Sequence, residues 1–298
     1  MMDTKESEAA SRHVLCARQE GLKRMAYRRW GVRPKTPDPA LPAVICVHGL
    51  TRNSHDFDGL GATLLDAGGR TVMACDVLGR GNSDWLADSS GYQVSHYVGD
   101  MSALIARAGT DEVDWVGTSM GGLIALLLAA SPLSPIRRLV LNDVGPFVPK
   151  AALERITAYT TAPAPTFANL DEAEAHYREV HADFGPMTDA DWAAFTRFST
   201  VPLEDGSGRW RRHQDPAIGD PMKGVEATDL DLWVLWDLIR CPVLVLRGAR
   251  SDLLLPDTVE EMKTRGPGCT VYEVPDAGHA PMFTTPEINH MVADFLAG

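Results

Sequence analysis

At 298 residues, with 45% hydrophobic and 23% charged positions, the chain is long enough to bury a substantial core without disulfide or metal staples. A formal net charge of −12 argues against DNA or RNA as the main ligand, because phosphate backbones are met by basic faces. The five cysteines (Cys16, Cys46, Cys75, Cys241 and Cys269) are scattered and form no CxxC pair, so free thiols are expected rather than a disulfide or zinc framework.

The opening stretch MMDTKESEAASRH is charged and lacks the apolar core of a secretory signal. Residues 13–30 alternate well enough for a hairpin around Gly21, and the proline-rich residues 33–42 read as a loop. Strand and helix then alternate: strands at 44–47, 71–75, 113–116 and 139–141, with helices at 57–67, 97–108 and 123–130 between them. The run at 123–130 is the longest apolar one and too short to cross a bilayer, so a soluble cytoplasmic protein with no membrane partner is expected. Between about 146 and 230 come helical stretches (151–159, 170–183, 189–198) with no strands expected between them. Alternation resumes with strands at 242–246 and 270–274 and helices at 257–263 and 287–296. The pattern predicts an α/β fold with a mostly parallel sheet and helices on both faces. Its core spans 1–145 and 231–298, and a helical insertion at 146–230 follows the sixth strand.

VDWVGTSMGGLIALLLA at 113–129 passes from strand to helix through Gly117, Ser119 and Gly121. A serine at the tip of so sharp a turn projects its hydroxyl, and glycines two residues to each side remove side chains that would clash. The helix that follows aims its positive end at any developing oxyanion. A serine needs a base and an orienting acid to become a nucleophile. Of the later histidines, His176 and His181 fall in the insertion, His213 follows its arginine cluster and His290 lies on the last helix. His279 alone follows a strand through a short loop, Pro275 to Gly278, where open α/β sheets place their sites. Asp252, at the end of LVLRGARSD, is the expected acid, with Asp143 after the strand at 139–141 as runner-up. Asp257 reads as a helix-start residue and Asp276 as a turn residue. The oxyanion hole is expected from the backbone amides of Met120 and Leu50.

HGL (48–50), DVLGRGNSD (76–84), GTSMGG (117–122), RGARSD (247–252) and GHAP (278–281) occur in the order found in the α/β-hydrolase superfamily, which the sequence resembles over nearly its whole length. The resemblance implies Ser119 as nucleophile, His279 as base, Asp252 as orienting acid, and a cap over the site. Serine at the elbow separates the chain from dehalogenases and epoxide hydrolases of this fold, which carry aspartate there. HGLTRNSHDF is similar to bacterial carboxylesterase-type members. Leu50-Thr51-Arg52-Asn53 and Ala280-Pro281-Met282 depart from the glycine-rich loop and post-histidine aromatic typical of carbon–carbon bond hydrolases.

Trp192, Phe195, Phe198, Trp210, Trp233 and Trp236 read as packing residues of the insertion and its end, with Trp192 and Trp210 also candidates to line an acyl pocket. Arg52 beside the oxyanion loop is a candidate to meet a carboxylate or polar group of the substrate, and Arg209, Arg211 and Arg212 read as a solvated basic patch at the lid, with contact to an anionic substrate as the alternative. Asp76 and Arg80 are expected to fix loop geometry, with Gly79 and Gly81 at a tight bend. The expected function is cleavage of a small or medium carboxylic ester, a small-molecule substrate, through an acyl-enzyme with no cofactor or metal. The alternatives are carbon–carbon bond hydrolysis by the same triad and a non-catalytic ligand-binding protein. A homodimer stays open.

Overall fold

The computed structural model describes residues 9–31 and 41–298. The loop expected at 33–42 lies outside them up to residue 40. In chain order the first strands are β1 (Ala10–Arg18), β2 (Gly21–Trp30), β3 (Ala43–Val47), β4 (Val72–Cys75), β5 (Val113–Thr118) and β6 (Ile136–Asn142). Helices α1 (Asp58–Gly68), α2 (Val94–Ala108) and α3 (Met120–Ala129) alternate with the later ones.

Residues following β6 form β7 (Phe147–Val148), α4 (Lys150–Thr161), β8 (Thr166–Phe167), α5 (Leu170–Val180), α6 (Asp189–Ser199), β9 (Thr200–Pro202), β10 (Trp210–Arg212) and β11 (Leu230–Asp231). The chain then returns through α7 (Trp233–Leu238), β12 (Val243–Gly248), α8 (Pro256–Thr264), β13 (Thr270–Val274) and α9 (Pro286–Ala297). The main sheet runs β1-β2-β4-β3-β5-β6-β12-β13. It is parallel from β4 to β13, with the β1–β2 hairpin joined antiparallel at one edge.

Buried strands with no polar face must cover both sides with helices. Along β3, Val44 and Cys46 pack on one face against Leu60 and Leu64 of α1 and Val292 and Leu296 of α9. Ile45 and Val47 point the other way, toward Met101 and Leu104 of α2 and Ile124 and Leu128 of α3. The two-residue side-chain period of a strand thus divides the core into two layers.

The segment between β6 and β12 is not purely helical, contrary to the expectation. β8, β10 and β9 form a small antiparallel sheet, and β7 pairs with β11 where the segment leaves and rejoins the main body. Glu204 to Gly208 supplies the turn that lets Trp210 fold back onto Pro202, in strands too short to show a period. This segment has its own apolar cluster of Phe167, Ala173, Tyr177, Trp192 and Phe195.

Candidate active site

β3, β5, β6 and β12 lie side by side, so the loops leaving their carboxyl ends converge on one edge of the sheet. Ser119 sits between β5 and α3 at φ 49°, ψ −111°, a conformation few non-glycine residues hold. The flanking glycines are required by close approach. A Cβ on Gly117 would overlap the Gly121 carbonyl, and one on Gly121 would overlap the Val47 carbonyl of β3. The Ser119 amide is tied to the Asn142 carbonyl at 3.0 Å, which fixes the elbow to β6.

His279 follows β13, and its ring bridges two side chains. Nε2 lies 2.9 Å from Ser119 Oγ and Nδ1 lies 2.7 Å from Asp143 Oδ2. Asp143 is wholly buried at φ 55° just past β6. Its Oδ1 accepts the Gly248 amide at 2.8 Å, and its Oδ2 also accepts the Ser251 hydroxyl at 2.6 Å. An acid that accepts Nδ1–H leaves Nε2 free to accept the serine proton.

The structure does not bring Asp252 to this ring. Its half-exposed carboxylate instead accepts Arg155 Nε at 2.6 Å and Nη2 at 2.7 Å, joining the rim to α4. The reason is the turn after β12. Gly248 packs directly under the Ala277 and Gly278 carbonyls, and Ser251, not Asp252, turns inward onto Asp143. The sequence marks the RGARSD loop but points to Asp252 rather than Ser251 as its inward residue, and Asp143, the alternative acid at the end of β6, is the one beside the imidazole.

The histidine loop is held from two sides. Asn142 Nδ2 donates to the Pro281 carbonyl at 2.8 Å. From the inserted segment, the carbonyls of Asp183 and Phe184 accept the amides of Gly278 at 2.6 Å and Met282 at 3.1 Å. Residues on either side of His279 are therefore pinned by backbone bonds that depend on the insertion.

Leu50 and Met120 both line the cavity beside Ser119. Met120 opens α3, so its amide has no carbonyl of its own helix to donate to. Arg80, fully buried, donates from Nε to the Leu50 carbonyl at 2.8 Å, from Nη1 to Tyr97 Oη at 2.6 Å, and from Nη2 to Met120 Sδ at 3.8 Å. It thus braces both proposed amide donors. Asp76 accepts the amides of Ser54 and Asn82 at 2.8 and 2.9 Å, and Gly79 and Gly81 adopt φ of 86° and 51° in the same bend.

In the sequence His48 is marked only as the first residue of the HGL loop. Its Nε2 accepts the Val77 amide at 2.9 Å, so Nδ1 carries the proton and donates to the Gly49 carbonyl at 2.6 Å. Complete burial pushes its pKa down to about 3, helped by the charges of Arg80 and Arg52 and opposed by the bond to Gly49. The folded protein keeps this ring neutral while the unfolded chain takes up a proton near pH 6.5, so stability present at neutral pH is lost on acidification. For His48 alone the loss is about 2 kcal/mol by pH 5, a range in which ordinary carboxylates stay ionised. Urea midpoints at pH 7.5 and 5 read this loss together with those of His55 and His181, whose pKa values burial also lowers, and equal midpoints would contradict it.

Arg52 lines the cavity, but its guanidinium is held internally. It binds Asp56 through Nε at 3.1 Å and Nη2 at 2.5 Å, donates from Nη1 to Ser199 Oγ at 2.7 Å, and lies 3.5 Å over the Phe195 ring. Trp192 and Trp210 are not brought to the cavity. Trp192 is packed edge-on against Phe195 inside the insertion, with Trp210 against the same cluster. The cavity, about 750 Å³, is lined instead by groups such as Leu123, Val144, Val148, Ile156 and Leu253, with Ser119 and His279 in its wall. Among the described residues no cluster of three or more metal-ligating side chains occurs, and no helix is long and apolar enough to cross a membrane.

An eight-stranded, mostly parallel sheet with a serine elbow and a histidine loop at its carboxyl edge defines a hydrolase of the α/β class. The sequence pattern of the alpha/beta hydrolase family matches residues 44–288, and the chain belongs to that family. It is 44% identical to a 3-hydroxybutyrate-oligomer hydrolase of Cupriavidus necator, over 96% of this chain and 97% of that one. A 2-(acetamidomethylene)succinate hydrolase of Mesorhizobium japonicum is 28% identical over 83% of this chain and 84% of its own length. Among solved structures, an alpha/beta hydrolase from Novosphingobium aromaticivorans superimposes with a TM-score of 0.83 at 35% identity, covering 97% of this chain and 98% of that one.

Proposed function

We propose that the protein is a serine ester hydrolase in which Ser119, His279 and Asp143 act as a triad on short hydroxyacid esters. The observation that carries this reading is the continuous chain from Asp143 Oδ2 through His279 to Ser119 Oγ, with contacts of 2.7 and 2.9 Å. In the proposed reaction Ser119 Oγ attacks the ester carbonyl carbon as His279 Nε2 takes its proton. The oxyanion that forms is met by the amides of Leu50 and Met120, each such donor being worth roughly 3–4 kcal/mol. Collapse expels the alcohol, which His279 protonates. Water then attacks the acyl-enzyme, His279 accepts its proton, and the acid leaves with Ser119 restored. Asp143 holds the imidazole tautomer and stabilises the imidazolium.

The substrate class draws support from the full-length similarity to the 3-hydroxybutyrate-oligomer hydrolase, and the cavity of about 750 Å³ has room for such an oligomer beside Ser119. The test is hydrolysis of p-nitrophenyl esters from acetyl to dodecanoyl, together with the linear dimer and trimer of 3-hydroxybutyrate. Turnover that peaks at short acyl groups and extends to the dimer is expected. A folded protein that cleaves no ester in either set would overturn the reading and leave carbon–carbon hydrolysis as the use of the triad.

A further inference from the structure

Three arginines line the cavity, Arg52, Arg155 and Arg212, and among the described residues no aspartate or glutamate does. Arg52 is matched by Asp56 and Arg155 by Asp252. Arg212 has no such match. Among the described residues no carboxylate lies within ion-pair distance of it, and its Nη2 meets only the neutral acceptor His176 Nε2, at 3.4 Å. Its backbone is fixed, since Arg212 pairs with Thr200 across the β10–β9 ladder. The guanidinium is half-buried, a setting in which an unmatched charge is costly until an anion joins it.

Among the described residues the wall beside Arg212 offers it no negative partner. His181, in the same wall, has its pKa pushed well below the ordinary value by burial, then by the charges of Arg52 and Arg212 and by His176. The chain as a whole carries −12, so its surface does not gather anions in general. One unmatched guanidinium in the wall of an acidic protein's cavity favours an anion that fits the cavity.

We propose that Arg212 binds a free carboxylate of the substrate, so that the preferred esters are anionic acids rather than neutral esters. The planar guanidinium fork matches a carboxylate through two parallel N–H donors. The inference rests on the ester-hydrolase reading: the scissile carbonyl lies at Ser119 while the acid terminus reaches the cap. A 3-hydroxybutyrate dimer presents both groups.

The experiment compares the dimer as free acid and as methyl ester, in the wild type and in Arg212→Gln and Arg212→Lys. Wild type is expected to favour the free acid. Arg212→Gln should raise KM for the free acid by about tenfold more than KM for the methyl ester, and Arg212→Lys should restore part of the preference. Equal shifts for both esters, or no preference in the wild type, would overturn the proposal. If neither dimer form is cleaved, the ester reading of this substrate fails, and the site is decided separately by calorimetric titration of 3-hydroxybutyrate into the protein. Binding that is lost in Arg212→Gln, with the thermal midpoint retained, supports the carboxylate site. Absence of binding to the wild type refutes it.

Discussion

Ser119→Ala is expected to lower kcat on p-nitrophenyl butyrate on the order of 10⁵- to 10⁶-fold, and His279→Ala by a similar factor. In the proposed reaction the 2.9 Å contact between Oγ and Nε2 makes the two side chains one device: without the imidazole the hydroxyl keeps its proton, and without the hydroxyl the base has nothing to activate. The double variant should therefore lose little beyond either single one. Losses that multiply would show that the residues act independently. Alanine at 119 keeps the Cβ that already stands at φ 49°, so the elbow carries the same backbone strain in both proteins and unchanged thermal midpoints are expected. The residual rate of the variants then reports what the cavity and the two proposed amide donors achieve alone.

The parts of this arrangement that were legible in the sequence are those with a local physical cause. Gly117 and Gly121 mark the elbow because any side chain there would collide with the facing backbone. The apolar runs at β3, β5, β6 and β12 mark a sheet covered on both faces, because no polar face is left for solvent. His279 was legible because only one late histidine follows a strand through a short loop. What the sequence leaves open is which of two side chains on a loop turns inward. Asp252 and Ser251 are neighbours, and the packing of Gly248 beneath residues 277 and 278, far along the chain, decides between them. The tryptophans of the insertion were ambiguous for a similar reason. A large aromatic ring can fill a small domain's own core or a pocket wall, and Trp192 fills the core because Phe195, Tyr177 and Phe167 surround it. The short strands β8, β9 and β10 were invisible because two or three residues carry no period.

Asp143→Asn is expected to lower kcat by about 10⁴-fold, whereas Asp252→Asn should change it less than about threefold. Asparagine at 143 can still accept the Gly248 amide through its carbonyl oxygen, so the loop after β12 stays anchored. Its NH₂ group then faces His279 Nδ1, where a donor favours the tautomer with the proton on Nε2, and a protonated Nε2 cannot take the serine proton. Asp143→Ala is the harsher change, since the Ser251 hydroxyl and Gly248 amide lose a buried acceptor, at about 1–3 kcal/mol each. Comparing the two variants separates chemistry from folding: the asparagine should lose activity with little stability, and the alanine should lose both. At 252 the carboxylate is 54% exposed and joins only Arg155, so the pair contributes at most about 1 kcal/mol. Steady-state kinetics and urea midpoints on the three variants settle the choice of acid. Loss of turnover in Asp252→Asn with retention in Asp143→Asn would remove Asp143 from the triad, despite its 2.7 Å contact with the imidazole.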